Sequence, residues 1–357
     1  MKERVTLIDI ANDLGVSVAT VHRALNGKGR ISESTKALIQ SRAEEMNYQS
    51  NIIAKILSSK KKFNIAFICP NNFFYEEIIN GASAATKELR IFGITTDYLL
   101  SNDYNPQTQV DKLNEIIENK NYDAVAISPC HNLLLNPLIN NLVENQIPVI
   151  TFNNDASASK RTCFVGENSY VAGCLPAQLY EKILPQGGIV AIMRSMVSAE
   201  GLSLRVNGFI EYLNQNGNLN INGIYDFYDS INEAYLISRQ ILLTTQINAI
   251  YVNSMMGTIG TARAIKELNM QDSVFMIGYD LNDEISNYIK DGIIFGTLVQ
   301  SPFMQGYYSI QLLFKTLTSN IKQSLLNGSL FTKTQLFIKS NLIQNENTEI
   351  ENITHLF

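Results

Sequence analysis

The sequence predicts an α/β protein in which a small all-α head precedes two doubly wound parallel-sheet subdomains. Its 357 residues exceed what one ordinary core accommodates, and 45% of them are hydrophobic, as in globular proteins. Residues 1–62 show the spacing of amphipathic helices. From Phe63 onwards, near-continuous apolar runs such as FNIAFIC and SVFMIGYD alternate with helical patterns. That alternation is typical of parallel sheets covered by helices on both faces.

Charge is distributed unevenly between the head and the body. The net charge is −5, yet residues 1–62 carry 11 Lys and Arg against 6 Asp and Glu, while the remainder carries 17 against 27. A basic head on an acidic body is expected when only the head meets phosphate. No apolar run is long enough for a membrane span, and the N-terminus lacks the pattern of a signal peptide. We therefore expect a cytoplasmic protein with reduced cysteines and no membrane contact.

The head begins with a pattern that predicts two short helices joined by a tight turn. Apolar residues at helical spacing mark the first helix: Leu7, Ile10, Ala11 and Leu14. Thr6 and Asp9 predict a capping box at its start, and Gly15 supplies the turn at its end. Ser17 is placed to cap a second helix that runs to about Leu25. Together these elements form a helix-turn-helix, whose second helix enters the DNA major groove.

The second helix, within SVATVHRALNG (17–27), has two faces. Val21, Ala24 and Leu25 would pack inward. The face predicted to point outward comprises Ser17, Val18, Ala19, His22 and Arg23. A third helix capped by Ser32 follows, and its predicted inner residues are Ala37, Leu38, Ala43 and Met46. Any small amphipathic helical module shares this pattern, so the pattern alone leaves both a DNA-binding and a plain helical module open.

A longer stretch makes the DNA-binding interpretation specific. VTLIDIANDLGVSVATVHRALNGKGRISESTKALIQSRAEEMNYQSNIIAKIL resembles the DNA-binding headpiece of the lactose-repressor (LacI/GalR) family. The family pattern T-[LI]-x-D-[IV]-A-x-x-x-G-V-S-x-x-T-V-S-R-x-L-N is met at nearly every place, although His22 stands where Ser is usual. The resemblance implies a homodimeric transcriptional regulator that binds a pseudo-palindromic operator.

The resemblance also implies roles for individual head residues. Val18 and Ala19 take base-reading positions, where small apolar side chains touch thymine methyls, and Arg23 grips guanine O6 and N7. The other implied DNA contacts are Thr6, Ser17, Thr20, Asn26 and Arg30, of which Ser17, Thr20 and Asn26 would bind phosphates. His22 adds a base or phosphate contact, or it is a neutral solvent-facing side chain; both interpretations stay open.

Residues 50–62, SNIIAKILSSKKK, match the hinge helix of the same family. In that family two such helices pair on DNA and wedge a leucine into the minor groove. Leu57 matches this leucine, and Ala54 lies on the paired face. A simple linker helix with a basic end is the alternative.

In the body, polar side chains follow the carboxyl ends of successive predicted strands, where doubly wound sheets bind ligands. The expected ligand-binding residues are Asn72, Phe74, Tyr75, Asn153, Asn154, Arg205, Asn253, Asp280 and Gln300. Amides and carboxylates bind sugar hydroxyls, and aromatic rings cover the apolar face of a sugar. Each polar residue by itself is better explained as a turn former or a loop polar group, so the prediction rests on their shared location.

The body, at about 63–342, resembles the effector domain of the same family and the ribose-type periplasmic binding proteins. The resemblance implies two subdomains with three chain crossings, near residues 158, 301 and 329, and a pocket that closes between them by hinge motion. The implied divisions are a headpiece at 1–49, a hinge at 50–62, a first subdomain at 63–158 and 301–328, a second subdomain at 159–300 and 329–345, and a tail at 346–357.

These observations favour a DNA-binding repressor controlled by a small sugar, either a pentose or a hexose. Arg205 leaves a phosphorylated sugar open, and the sequence does not say whether the sugar releases DNA or promotes binding. A solute-binding protein would fit the body alone, but it predicts a signal peptide and no basic head. An enzyme is disfavoured because His occurs only at positions 22, 131 and 355 and no Ser lies in G-x-S-x-G. No catalytic residue, cofactor or metal is expected.

Overall fold

The computed structural model describes residues 5–26, 31–46, 48, 61–101, 105–196, 199–318 and 328–342. The chain forms two compact units, Met1–Lys60 and Lys61–Phe357. The first unit corresponds to the predicted head and hinge, and the second to the predicted body.

The described part of the head contains three helices, which are α1 (Leu7–Leu14), α2 (Val18–Asn26) and α3 (Glu33–Glu45). The predicted capping box is present, because the backbone N–H of Asp9 donates to Oγ1 of Thr6 and the N–H of Thr6 donates to the Asp9 carboxylate. Gly15 ends α1 with a φ of 65°, in the left-handed region that favours glycine. Oγ of Ser17 accepts from the N–H of Thr20 at 3.1 Å, which confirms the predicted cap of α2.

The head core forms where the three helices meet, and one part of its prediction is wrong. Val21 and Ala24 are buried as predicted, but Ala37 and Leu38 are exposed, and Ile39 is fully buried instead. Ile39 and Ala43 lie four residues apart on one face of α3, so this face packs inward and positions 37 and 38 turn towards solvent.

The body contains two six-stranded sheets. The first has, in spatial order, β11 (Ser329–Phe331), β5 (Cys163–Gly166), β4 (Val149–Phe152), β3 (Ala124–Ile127), β1 (Phe63–Pro70) and β2 (Ile94–Ser101). The second has β12 (Gln335–Phe337), β10 (Gly296–Val299), β9 (Phe275–Tyr279), β8 (Ala249–Val252), β6 (Gly188–Ser195) and β7 (Leu219–Phe227). Neighbouring strands are parallel except β12, which is antiparallel to β10. The structure thus confirms two doubly wound subdomains.

Helices cover both faces of each sheet. The first subdomain has α4 (Phe74–Leu89), α5 (Pro106–Asn119), α6 (Asn132–Glu144) and α12 (Pro302–Thr318), with a short 3₁₀ helix at Arg90–Phe92. The second has α7 (Ser169–Ile183), α8 (Glu200–Asn216), α9 (Ile231–Thr244), α10 (Met255–Glu267) and α11 (Asp283–Lys290). In β1, Ile65 and Phe67 pack against α4 and α12, whereas Ala66 and Ile68 pack against α5 and α6. This alternation explains why the strand reads as one continuous apolar run.

Two of the predicted chain crossings fall elsewhere in the structure. Because β5 and β11 both pair within the first sheet, the chain crosses after Gly166 and after Phe331, rather than near 158 and 329. The third crossing follows β10, at about 301. Residues 153–162 form a loop from β4 to β5, and the side chains of Asp155 and Arg161 pair across this loop at 2.5 Å. The family resemblance places the boundary in this loop, and the pairing of β5 with β4 moves it to the chain after Gly166.

Close packing of α7 against α8 fixes the position of the pocket-facing helix. A Cβ atom at Gly173 would lie 1.9 Å from the carbonyl oxygen of Arg205, and one at Gly208 would lie 2.1 Å from that of Tyr170. Only glycine permits this approach of the two backbones. The two glycines therefore allow α8, which carries Arg205, to pack closely against α7.

Candidate functional site

The predicted outward face of α2 is solvent-exposed in the head. Ser17, Val18, Ala19, His22 and Arg23 are all exposed, and 42% of the Val18 surface is accessible. Nε of Arg23 donates to the backbone carbonyl of Ala19 at 3.1 Å, so the guanidinium lies along its own helix.

Some of the other predicted DNA contacts bond to neighbouring side chains, and others lie outside the described residues. Thr6 and Asp9 bond to each other at the start of α1, and Oγ1 of Thr20 lies 2.8 Å from Oγ of Ser17. The side chain of Asn26 and all of Arg30, Ala54 and Leu57 lie outside the described residues. Their roles stay predictions.

A cavity of about 460 Å³ lies between the two subdomains of the body, at the carboxyl ends of the strands. Eight of the nine predicted ligand residues line it: Asn72, Phe74, Tyr75, Asn153, Asn154, Arg205, Asp280 and Gln300. A volume of this size falls in the range of small-molecule sites. The strand-end rule therefore located the pocket.

Asn253 was predicted as a ligand residue, but the structure places it behind the wall. Its side chain is fully buried, with Oδ1 accepting from the N–H of Ser195 at 2.9 Å and Nδ2 donating to the carbonyl of Leu202 at 3.1 Å. Because β8 is a central strand, the side chain after it is surrounded by neighbouring backbone groups. Asn253 therefore joins the segments that follow β6 and β8 and does not face the cavity.

A chain of hydrogen bonds runs across the pocket from one subdomain to the other. The Tyr75 hydroxyl lies 2.9 Å from Oγ of Ser128 and donates to Oδ1 of Asn153 at 3.3 Å. Nδ2 of Asn153 donates to Oε1 of Gln300 at 3.1 Å, and Nε2 of Gln300 donates to Oδ1 of Asp280 at 3.0 Å. The first sheet is thereby coupled to a buried carboxylate of the second.

The pocket wall turns sharply at several strand ends. Asn153, Asp229 and Asp280 adopt φ values of 60°, 52° and 64°, and Ser301, beside the wall, adopts 55°. Asn and Asp tolerate this left-handed region better than most residues. Such conformations cluster at functional sites because the surrounding structure must hold them in place.

Arg205 and Glu167 form a buried ion pair at the pocket, with 5% and 1% of their surfaces exposed. Nε of Arg205 donates to Oε1 of Glu167 at 2.5 Å, and Nη2 lies 2.5 Å from the same oxygen. Nη1 donates to the carbonyl of Asn253 at 3.0 Å, and the guanidinium lies 3.8 Å from the centre of the Tyr279 ring. Burial is the largest single effect and lowers the pKa of the Arg205 guanidinium, but Glu167 together with Tyr279, Asp280 and Tyr251 outweighs it, so that the pKa is raised. Arg205 therefore stays charged and is paired within the protein.

Asp280 is the second buried ionisable group in the wall, with 7% of its surface exposed. Burial raises the pKa of its carboxyl to about 6, against the opposing effects of Arg205 and of the Gln300 hydrogen bond. The carboxyl can therefore accept hydrogen bonds from ligand hydroxyls as an anion, or donate one when it is protonated.

The structure adds wall residues that the sequence analysis did not name. The apolar ones include Met196, Leu202, Met255 and Met256, and the polar ones include Ser169, Tyr228, Asp229 and Ser254. Oγ of Ser254 donates to Oδ1 of Asp229 at 2.8 Å. Met196 and Asp229 lie just past β6 and β7, so applying the strand-end rule to every strand would have found them.

Glu200, at the start of α8, connects the two subdomains beside the cavity. Its carboxylate accepts from Nδ2 of Asn132 at 3.0 Å and from Oγ of Ser157 at 2.6 Å. Asn132 and Ser157 belong to the first subdomain, and Glu200 belongs to the second. These bonds hold together the two parts of the body that form the pocket.

Within the described residues, no helix is long and apolar enough to cross a membrane. In the same part of the chain, no group of three or more His, Cys, Asp or Glu side chains is arranged to hold a metal ion.

Comparison with known proteins identifies both units. Residues 6–51 match the model of the bacterial regulatory proteins of the lacI family, and residues 65–320 match that of the periplasmic binding protein domain. The chain is 27% identical to the probable HTH-type transcriptional repressor ExuR of Bacillus subtilis over 292 residues, which cover 77% of this chain and 81% of ExuR. It is 28% identical to the sucrose operon repressor of Streptococcus mutans over 287 residues, covering 79% and 84% of the two chains.

Two solved structures match about four-fifths of the chain. The XylFII molecule is 26% identical with a TM-score of 0.69, and the match covers 78% of this chain and 99% of XylFII. GanP, a glucose-galactose binding protein from Geobacillus stearothermophilus, is 24% identical with a TM-score of 0.71 over 79% and 99% of the two chains. The latter likeness shows the fold alone. With a matching DNA-binding head, a matching binding-protein domain and repressors as relatives, the chain belongs to the lacI family of bacterial regulatory proteins and is a DNA-binding transcriptional regulator.

Proposed function

We propose that this protein is a homodimeric repressor, acting in the cytoplasm, whose affinity for a pseudo-palindromic operator is set by a small sugar in the pocket of the body. In this proposal α2 reads the major groove through Val18, Ala19 and Arg23. A two-fold symmetric dimer would place its two heads on two half-sites, so that the symmetry of the protein matches that of the operator.

The observation that carries the sugar assignment is the hydrogen-bond chain across the pocket. It sets amides of Asn153 and Gln300 next to the carboxylate of Asp280, with the rings of Phe74 and Tyr75 in the same wall. Amides and carboxylates can each bind adjacent hydroxyls, and the rings can cover a sugar's apolar face.

A sugar held by both walls would favour one arrangement of the two subdomains over another. A ligand shifts such an equilibrium only by its differential affinity for the two states. Coupling of about 1–3 kcal/mol between the sugar and DNA sites gives roughly 5- to 150-fold control of operator binding. Asn153 and Gln300 are suited to transmit this preference because their hydrogen bond spans residues of both subdomains.

The relatives support this proposal over the alternatives. The names of the two relatives described above are those of repressors, and one is named for a sucrose operon. A transport or chemotaxis protein would have no use for the matching DNA-binding head. Nothing in the names of these relatives points to an enzyme.

The experiment is a thermal-shift screen of the full chain against pentoses, hexoses and sucrose, followed by DNA binding with and without the best ligand. A ligand at about 100 times its Kd should stabilise the body by ~2.7 kcal/mol. Asp280→Asn should remove the sugar response and leave DNA binding without sugar intact. If no sugar stabilises the protein, the sugar assignment is wrong; if Asp280→Asn loses DNA binding, Asp280 has a structural role instead.

A further inference from the structure

The charge of the pocket wall restricts which sugars can enter. Resting on the proposed sugar-binding function, we propose that the pocket takes an uncharged polyhydroxy ligand and excludes the phosphorylated and carboxylate forms of the same sugar. Within the described wall the cationic side chain is that of Arg205, so the proposal depends on what this cation already binds.

Arg205 is not available as an anion site. Its guanidinium has five N–H donors. Glu167 accepts from Nε and from one N–H of Nη2, and the carbonyl of Asn253 accepts from one N–H of Nη1. The negative charge of the Glu167 carboxylate also neutralises the positive charge of Arg205. Two N–H groups remain that can donate to hydroxyl oxygens, which carry no charge. Arg205 can therefore orient a hydroxyl, whereas a phosphate would have to displace Glu167 from a buried pair.

The other ionisable side chains of the wall are carboxylates. Asp280 and Asp229 both face the cavity, and Asp280 accepts a hydrogen bond from Gln300. As acceptors they suit ligand hydroxyls, which donate. Two carboxylates with no further cation in the described wall repel an anionic ligand in a site of low dielectric constant.

Helix N-termini often bind anions, and two of those at this pocket, at α4 and α10, already have a side-chain partner. Oδ1 of Asn72 accepts from the N–H of Phe74 at the start of α4. Oγ of Ser254 accepts from the N–H of Gly257 at the start of α10. Side chains of the protein therefore occupy these two backbone donors. A further helix start in the wall, that of α8, has no side-chain cap, but its first turn carries the carboxylate of Glu200, which disfavours an anion there.

The test compares matched ligands on the full chain by titration calorimetry. The neutral probes are D-glucose, D-galactose, D-xylose, L-arabinose and sucrose; the anionic probes are glucose 6-phosphate, galactose 6-phosphate, D-glucuronate and D-galacturonate. We expect a neutral sugar to bind at least 100-fold more tightly than its phosphate or acid. An anionic form that binds equally or more tightly overturns the inference but leaves sugar control standing. Binding by neither class overturns both the inference and the proposed sugar response.

A charge variant tests the physical cause. Glu167→Gln removes the negative charge that neutralises Arg205, and it should raise the affinity for glucose 6-phosphate or galactose 6-phosphate at least tenfold. If that variant does not fold, Asp229→Asn removes the other wall carboxylate and should raise phosphate affinity in the same direction. Asp272→Asn, at an exposed position that is not part of the wall, is the matched control and should change nothing. Unchanged phosphate affinity in the folded pocket variant overturns the inference.

Discussion

The outward face of α2 and the wall of the pocket are both built from polar side chains, but they are held in different ways. On α2, Val18 and Arg23 lie on a single exposed helix, and local helix geometry alone sets their directions. In the pocket, Asn153, Gln300 and Asp280 come from distant parts of the chain and hold one another through hydrogen bonds that are buried or partly buried. The outward face of α2 can therefore be changed residue by residue, whereas a change in the pocket wall affects the neighbouring side chains.

The largest difference between the two regions is expected on removing the partner of a buried charge. Glu167→Gln leaves Arg205 buried and unpaired, which should lower the free energy of unfolding of the body by about 3–5 kcal/mol. Urea unfolding measures this loss. The control is Glu144→Gln, which breaks an exposed pair with Lys160 whose side chains are 58% and 61% accessible, and it should cost less than about 1 kcal/mol. Equal losses in the two variants would mean that burial of the Arg205 pair is unimportant.

The stability of the pocket should also depend on pH. Burial raises the pKa of Asp280 from an ordinary value of 3.8 to about 6, so the folded protein binds this proton more tightly than the unfolded chain does. This contribution to stability is complete below about pH 3.8 and is lost as the pH rises through about 6, by up to ~3 kcal/mol. Urea unfolding of the wild type and of Asp280→Asn measures it between about pH 4 and about pH 7. A difference between the two proteins that does not change with pH would contradict the raised pKa.

On the reading face, a single substitution should change DNA selectivity and nothing in the body. Arg23→Ala should cost about 1–3 kcal/mol of operator binding and relax the preference at one base pair per half-site. Binding to operators with each base substituted measures both effects, and the melting temperature of the body serves as the control. A loss that is equal for every sequence would identify Arg23 as a phosphate contact.

The smallest effect concerns the contact between the two parts of the pocket. Glu200→Gln weakens the hydrogen bonds to Asn132 and Ser157 and should lower sugar affinity by ~1 kcal/mol, or about fivefold. Calorimetry with the best ligand measures this change. Glu211→Gln is the matched control on the same helix, because Glu211 bonds to Tyr170 within one subdomain. Equal affinities in the two variants would show that the Glu200 bridge does not support ligand binding.

The comparison also explains what the sequence could predict. The caps of α1 and α2, the turn at Gly15 and the outward face of α2 each depend on residues within a few positions of one another. The structure confirms these predictions. Five pocket residues followed from the rule that parallel strands end at one edge: Asn72, Asn153, Asn154, Asp280 and Gln300. Asn253 also follows the end of a strand, but the neighbouring segments around this central strand bury its side chain. No local sequence pattern reveals that burial. Glu167 is bound to a partner 38 positions away, so only the folded chain shows that Arg205 is already paired.

The larger boundaries failed for a related reason. The strand β5 is four residues long and follows a polar loop, so the pairing that places it in the first sheet depends on β4 and β11 rather than on its own pattern. In α3, the packing of Ile39 is decided by the neighbouring helices of the head, which set the rotation of the helix.

The measurement that tests the account most directly is reciprocal coupling between DNA and sugar on the same protein. A DNA site is first selected from a random pool, and the affinity for it is measured with and without saturating sugar; the affinity for the sugar is then measured with and without that DNA. The account predicts that both affinities change by the same factor, within roughly 5- to 150-fold. If the sugar binds but neither affinity changes, the pocket does not control the reading head, and the central claim is wrong.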